Sequence, residues 1–407
     1  MMIRRDAKTS LQALAGLYAV VVLTGPRQSG KSTLARDAFP EKPYVSLEDP
    51  DTRDYATQDT RHFLGQFPQG AILDEVQRCP AIFSYLQGMV DADPASGRFL
   101  LTGSQQFGLM SGVNQSLAGR AGFMQLLPFT LDEVMQLSPP DSLEALLLAG
   151  LYPPIHDRQL PPAVWYSDYI ASYIERDVRQ MVNVRDLSAF QRFLRMCAAR
   201  TGQVLNLSAL AGDCGITHNT AAAWLSVLEA SYIVVRLPPY FRNFGKRLSK
   251  TPKLYFLDTG LAAVLAGIRS ADALAHSAMR GPLFETWVVT EALKRNFNRV
   301  LNTPLYYWRD SNGQEMDLVI EQDEHTRPLE CKSGTTLAVD WFRPVERYLD
   351  LSGAEQGWLL YGGDAAQLRN RVQVHGWRTV GAALDAWMGA GYPLAGKGDR
   401  DNVFQSC

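Results

Sequence analysis

Residues 25 to 32 read Gly-Pro-Arg-Gln-Ser-Gly-Lys-Ser and follow directly on the apolar run Ala19-Val20-Val21-Val22-Leu23. A loop of this composition between a strand and a helix can wrap a polyphosphate. Gly25 and Gly30 let the backbone turn so that successive N–H groups point inward, and the next helix adds its dipole. Pro26, Arg27, Gln28 and Ser29 complete the loop, and Thr33 lies in the helix behind it. Lys31 is placed to neutralise β- and γ-phosphates and the Ser32 hydroxyl to ligate Mg2+. The expected ligands are therefore ATP and Mg2+, although the loop alone separates neither adenine from guanine nor a kinase from a hydrolase.

Gly70-Ala71-Ile72-Leu73-Asp74-Glu75 is a short apolar strand ending in two carboxylates, in the manner of a Walker B strand. Asp74 is expected to hold Mg2+ and Glu75 to polarise the attacking water, which favours hydrolysis over transfer to a second substrate. A third strand, Phe99-Leu100-Leu101, runs into Thr102-Gly103-Ser104-Gln105, at the sheet edge where parallel α/β sheets bind ligands. Ser104 is the candidate γ-phosphate sensor. Arg120, in Ser116-Leu117-Ala118-Gly119-Arg120, is a candidate finger toward a neighbouring subunit's nucleotide, with a surface ion pair as its other reading.

These segments, together with Leu73 to Arg78 and Tyr173-Ile174-Glu175-Arg176-Asp177-Val178, resemble a prokaryotic AAA-type P-loop ATPase family that carries a C-terminal domain of unknown function. The resemblance runs through nearly the whole chain and implies an ATPase fold at the N-terminal end.

A second constellation lies between residues 281 and 333. Glu285 stands in a helical stretch, Asp317 at the start of the strand Leu318-Val319-Ile320, and Glu330 and Lys332 on the next strand. Strand alternation points Glu330 and Lys332 to one side and Cys331 to the other. The pattern resembles the PD-(D/E)xK nuclease core, in which carboxylates such as Asp317 and Glu330 hold a divalent metal and the lysine activates water. Exposed strand charges are the plain alternative.

Between the two constellations, Leu207 to Glu229 reads as helix, turn and helix followed by the strand Tyr232-Ile233-Val234-Val235, the order of a winged helix. From Arg236 to Lys253 there are six basic residues and no acidic one: Arg236, Arg242, Lys246, Arg247, Lys250 and Lys253, interleaved with Tyr240, Phe241 and Phe244. Arg242, Lys246, Arg247 and Lys250 are the expected phosphate contacts of a nucleic-acid surface. The run Ala221-Ala222-Ala223 argues against strong base readout by the second helix.

The elements that must position these residues follow an α/β plan. The expected divisions are a P-loop parallel-sheet domain at 1–150, a helical connector at 151–200, a winged-helix region at 201–265, an α/β nuclease-like domain at 266–390 and a flexible tail at 391–407. The 407 residues, 46% hydrophobic, suffice for several cores, and a net charge of −2 excludes a globally basic nucleic-acid binder. Cys79, Cys197, Cys214, Cys331 and Cys407 are scattered without metal-ligand spacing. With no signal-type start and no apolar run of the ~20 residues a membrane helix needs, a cytoplasmic location away from membranes is expected. The function expected is a Mg2+-dependent ATPase, forming a homo-oligomer, that couples its nucleotide state to nucleic-acid engagement, DNA foremost, with or without cleavage. The other reading is an ATP-driven switch whose non-catalytic C-terminal domain docks a protein partner.

Overall fold

A computed structural model of the chain describes residues 3–104, 116–178, 186–241, 251–322 and 325–389. Arg242, Lys246, Arg247 and Lys250, Gln105, and the tail from 391 onward lie outside the described residues. Two compact units emerge. Unit 1 comprises the chain to Pro128 with Phe297–Leu301, and unit 2 comprises Phe129–Asn296 with Asn302–Ala390.

Unit 1 is a five-stranded, wholly parallel sheet of β1 (Val20–Thr24), β2 (Tyr44–Ser46), β3 (Ile72–Asp74), β4 (Phe99–Gly103) and β5 (Ala121–Gln125), in the order β2-β3-β4-β1-β5. Valines and leucines buried along all of β1 suit a central strand covered on both faces. Alternation divides them between two cores. Val20 and Val22 join Leu73, Phe99, Leu101, Ile82 and Phe83, whereas Val21 and Leu23 join Ile72, Leu100, Leu11, Leu14 and Leu34. The helices Ala81–Ala92 and Ala7–Leu17 contribute to opposite faces, so the loop after β1 is fixed from both sides.

The boundary at Pro128 falls ahead of the expected division at residue 150. The physical reason is local. Thr130 and Glu133 form a reciprocal cap on the helix Leu131–Met135, the Leu131 amide donates to Glu291 at 3.1 Å, and Phe129 donates to the Leu151 carbonyl at 2.9 Å. All of these tie residues 129–150 into unit 2.

In unit 2, β6 (Gln203–Val204), β7 (Val234–Leu237) and β8 (Lys253–Phe256) form an antiparallel sheet in the order β6-β8-β7. The helices Leu187–Ala198, Leu207–Cys214 and His218–Ala230 complete a helix, strand, helix, helix, strand, strand sequence. Asn206 caps the second helix, Gly215 ends it at φ 68°, and Thr217 caps the third through the Thr220 amide. A second, mixed sheet holds β9 (Leu305–Arg309), β10 (Glu315–Gln322), β11 (His325–Lys332), β12 (Gly357–Tyr361), β13 (Gln367–Arg369) and β14 (Val372–Gly376), ordered β13-β14-β12-β11-β10-β9. β9, β10 and β11 run antiparallel in turn, while β11, β12 and β14 are parallel. The helix Arg280–Asn298 precedes this sheet, and Phe342–Ser352 crosses from β11 to β12, packing Val345, Tyr348 and Leu349 on Trp308, Val319 and Leu359. Among the described residues, no helix is long and apolar enough to cross a membrane.

Candidate functional site

The phosphate loop leaves β1 at Gly25 and enters the helix Lys31–Ala38 at Gly30, which caps it at φ 90°. Both positions exclude side chains. A Cβ on Gly25 would stand 2.1 Å from the Leu126 carbonyl oxygen, and only glycine takes the Gly30 backbone without strain. Gln28 also adopts positive φ, 66°. From outside the loop, the buried Arg5 guanidinium donates to the Ser29 carbonyl at 2.8 Å and to the Leu127 carbonyl at 2.9 Å. Arg27 pairs with Glu48 at 3.5 Å. Lys31 Nζ donates to the carbonyls of Gly25 at 3.0 Å and Pro26 at 2.8 Å, and burial pulls its pKa down against the opposing charges of Glu75 and Asp74.

Asp74, at the end of β3, is buried and ringed by hydroxyls. Ser32 Oγ lies 3.0 Å from each of its carboxylate oxygens, Tyr44 donates to Oδ2 at 2.6 Å from β2, and Thr102 donates to Oδ1 from β4. Burial, and then the bond to Asp74, raise the Tyr44 phenol to about 12, so it stays a donor. Glu75 follows in the left-handed region at φ 55°, a conformation that costs about 1–3 kcal/mol for a non-glycine residue. Its side chain accepts from Ser104 at 2.9 Å and from the Gln77 amide, while its own N–H donates to Thr102 at 3.3 Å. Ser104 thus meets Glu75, and Gln77 and Tyr44 hydrogen-bond into the same cluster, roles that the sequence reading did not assign them. Arg120 is half-exposed and paired with Asp91, with Nη2 to Oδ2 at 3.1 Å, which is the plainer of its two readings within one chain.

In unit 2 the structure gathers Glu285, Asp317, Glu330 and Lys332 and adds residues that sequence reasoning missed. The carboxylate oxygens of Glu285, Glu315 and Asp317 lie within 4.8 Å of one another. Asp317 sits inside β10 rather than at its start, at a point where the register against β9 shifts between Met316 and Val319. Its Oδ2 accepts from the Cys331 amide at 2.8 Å, and Lys332 Nζ donates to Glu330 at 2.5 Å.

Lys253, the last residue of the expected basic surface run, is instead buried among these carboxylates. Its Nζ stands 2.7 Å from Glu285 Oε1 and 3.6 Å from Asp317 Oδ1 and also contacts Glu315. Burial alone would lower the ammonium pKa, but the charges of Glu285, Asp317 and Glu315 outweigh it and hold the pKa raised. Burial, then the Asp317 charge, raise both Glu285 and Glu330 above the ordinary carboxylate range, with Lys253 and Lys332 opposing the respective shifts. Tyr255 donates to Glu285 at 2.5 Å. Two further members of the expected basic surface are engaged elsewhere: Arg236 pairs with Glu229 at 2.6 Å, and Tyr240 is buried against Tyr306.

Two curated proteins, the uncharacterized protein Rv2008c of Mycobacterium tuberculosis and the uncharacterized protein Mb2031c of Mycobacterium bovis, are each 32% identical to this chain over 340 residues, covering 83% of it and 75% of their own length. The chain belongs to their family. Family models divide it into an AAA domain at residues 18–135, a domain of unknown function (DUF8612) at 140–272 and another (DUF4143) at 280–379. Among solved structures, the Walker-type ATPase PABY2304 of Pyrococcus abyssi is similar at 16% identity with a TM-score of 0.45, covering 65% of this chain and 96% of that one. Unit 1 of this family member is an AAA-type P-loop ATPase domain, a class that uses a nucleotide and ordinarily Mg2+.

Proposed function

We propose that the chain is a Mg2+-dependent ATPase whose nucleotide state governs engagement of nucleic acid, DNA foremost. The observation that carries the ATPase reading is the set around Asp74: a carboxylate and the Ser32 hydroxyl 3.0 Å apart beside Lys31, with Glu75 held by Ser104 one residue on. These hard oxygen donors fit Mg2+, which when bound would offset phosphate charge between Ser32 and Asp74. The loop N–H groups and Lys31 would bind the phosphates, and Glu75 would orient water toward the γ-phosphate. Lys31→Ala should abolish ATP binding. Retention of wild-type ATP affinity by that variant would overturn the assignment.

Support for nucleic-acid engagement comes from the helix, strand, helix, helix, strand, strand order at residues 187–256, which matches a winged helix. The test is duplex DNA affinity measured in ATP-analogue and ADP states, because a nucleotide shifts only an equilibrium whose two states bind it unequally. Equal affinities would leave the protein-docking switch as the better account.

A second reading, metal-dependent cleavage by unit 2, is favoured by one observation. A helix, three antiparallel strands, a crossover helix and a parallel strand bring Asp317, Glu330, Lys332 and Glu285 to one cluster, as a PD-(D/E)xK core would. Cleavage of DNA or RNA with Mg2+ or Mn2+ that disappears in Asp317→Ala while ATP hydrolysis survives would support it. Its absence on single-stranded, duplex and RNA substrates would overturn it.

A further inference from the structure

We propose that the Lys253 ammonium is the resident cation of the carboxylate cluster in unit 2, and that Glu285, Glu315, Asp317 and Glu330 take a divalent cation only once that ammonium has withdrawn. The inference rests on reading the cluster as a cation site, the same premise as the cleavage reading, but it does not require that anything be cut.

The argument begins with space. Oxygens of three carboxylates within 4.8 Å of one another can close around one hard cation, since Mg2+ and Ca2+ bind oxygen at about 2.0–2.6 Å. Lys253 Nζ already stands among those oxygens, 2.7 Å from Glu285 and 3.6 Å from Asp317. A second cation there would lie almost in contact with the ammonium, so the two exclude each other.

Charge points the same way. Four carboxylates face Lys253, Lys332 and Arg309, the last 3.2 Å from Glu315, which leaves little unbalanced charge to attract a divalent ion. A surface ion pair would be incidental, but the Lys253 side chain is 2% exposed, and a buried ammonium persists only when well paired. Independently, the buried Oε2 of Glu330 has no hydrogen-bond partner among the described residues, although Asp317, Lys332 and Glu285 all act on this carboxyl. That oxygen has lone pairs left to offer a cation that enters the cluster.

Lys253 opens β8 and is paired on both sides, with Val204 and Leu237. With its backbone held from both sides, the ammonium withdraws by a change in the rotamers of its four-carbon stem.

The test is Mn2+ binding to the nucleotide-free full chain, followed by electron paramagnetic resonance, in a Ser32→Ala background that removes the phosphate-loop hydroxyl ligand. Lys253→Met should bind one Mn2+ at least about tenfold more tightly than its parent, and adding Asp317→Asn should erase the gain. Equal affinity in parent and Lys253→Met, or a gain that survives Asp317→Asn, would overturn the proposal. Should Lys253→Met fail to fold, Lys253→Gln, which still donates to the carboxylates, carries the same expectation. Tight Mn2+ binding by the parent that Asp317→Asn removes would overturn the proposal without either lysine variant. Tight Mn2+ binding by Lys253→Met without cleavage of any nucleic acid supports the resident-cation inference while sinking the nuclease reading.

Discussion

Tyr44 donates its hydroxyl to Oδ2 of Asp74 at 2.6 Å, from the strand beside the one that carries the aspartate. The tyrosine fixes one face of the carboxylate, and Ser32 and Thr102 hold the rest. Tyr44→Phe should raise the Mg2+ concentration for half-maximal ATP hydrolysis about ten- to a hundredfold, as expected for losing one hydrogen bond to a charged group, with nucleotide binding unchanged. A Mg2+ titration at fixed ATP reads this directly, and an unaltered midpoint would remove Tyr44 from the site.

Glu75 is held in a strained backbone conformation and accepts from Ser104 and Gln77. Glu75→Gln should bind ATP as the wild type does and lose about a hundredfold or more in turnover, the usual effect of removing a water-activating group. Ser104→Ala should lose less, because Gln77 remains. Single-turnover hydrolysis beside equilibrium nucleotide binding separates the two effects, and wild-type turnover by Glu75→Gln would disprove its role.

Arg120 and Asp91 form an exposed ion pair, of a kind that water and salt weaken strongly. Such a pair opens easily, so the guanidinium stays available to a second copy of the chain. If it acts there, ATPase activity per chain rises with protein concentration, and mixing Glu75→Gln with Arg120→Ala chains restores part of the activity. Asp91→Asn should leave the mixed activity intact. A rate per chain that is independent of concentration would show the pair to be structural only.

His156 donates from Nε2 to the Gly150 carbonyl at 2.8 Å, and burial lowers its pKa despite that bond. The unfolded chain takes up the proton at about 6.5 while the folded chain stays neutral, so the stability present above that pH is lost as pH falls. His375, also lowered by burial, acts with the same sign. The melting temperature of the wild type should drop between about pH 7.5 and 5, and His156→Gln, which keeps a donor, should flatten the drop. An identical pH profile in the two proteins would mean that His156 titrates normally.

The nucleotide machinery was legible where it is written contiguously. Gly25 to Ser32 and Asp74-Glu75 need only a strand before and a turn after, and the parallel sheet supplies both. Tyr44 and Thr102 join the site through strand pairing and Arg5 from ahead of the first helix, relations that no local spacing records. Glu315 could have been found: it lies two residues before Asp317 on one strand, and alternation points both to one side. Lys253 could not, because a basic run reads as solvated, and only the pairing of β8 with β6 and β7 carries its first residue into the carboxylates.

The central place of β1 also sets a schedule for the newborn chain. Val20 aligns with Phe99 on one side and with Ala121 on the other, so the strand bearing the phosphate loop gains its first neighbour only once Gly103, and its second only once Gln125, has left the ribosome. Pairings so distant along the chain close slowly and leave apolar edges open meanwhile. Nucleotide therefore cannot scaffold the earliest stages of synthesis. The half-made domain, with its bare valine strand, is the form most in need of a chaperone.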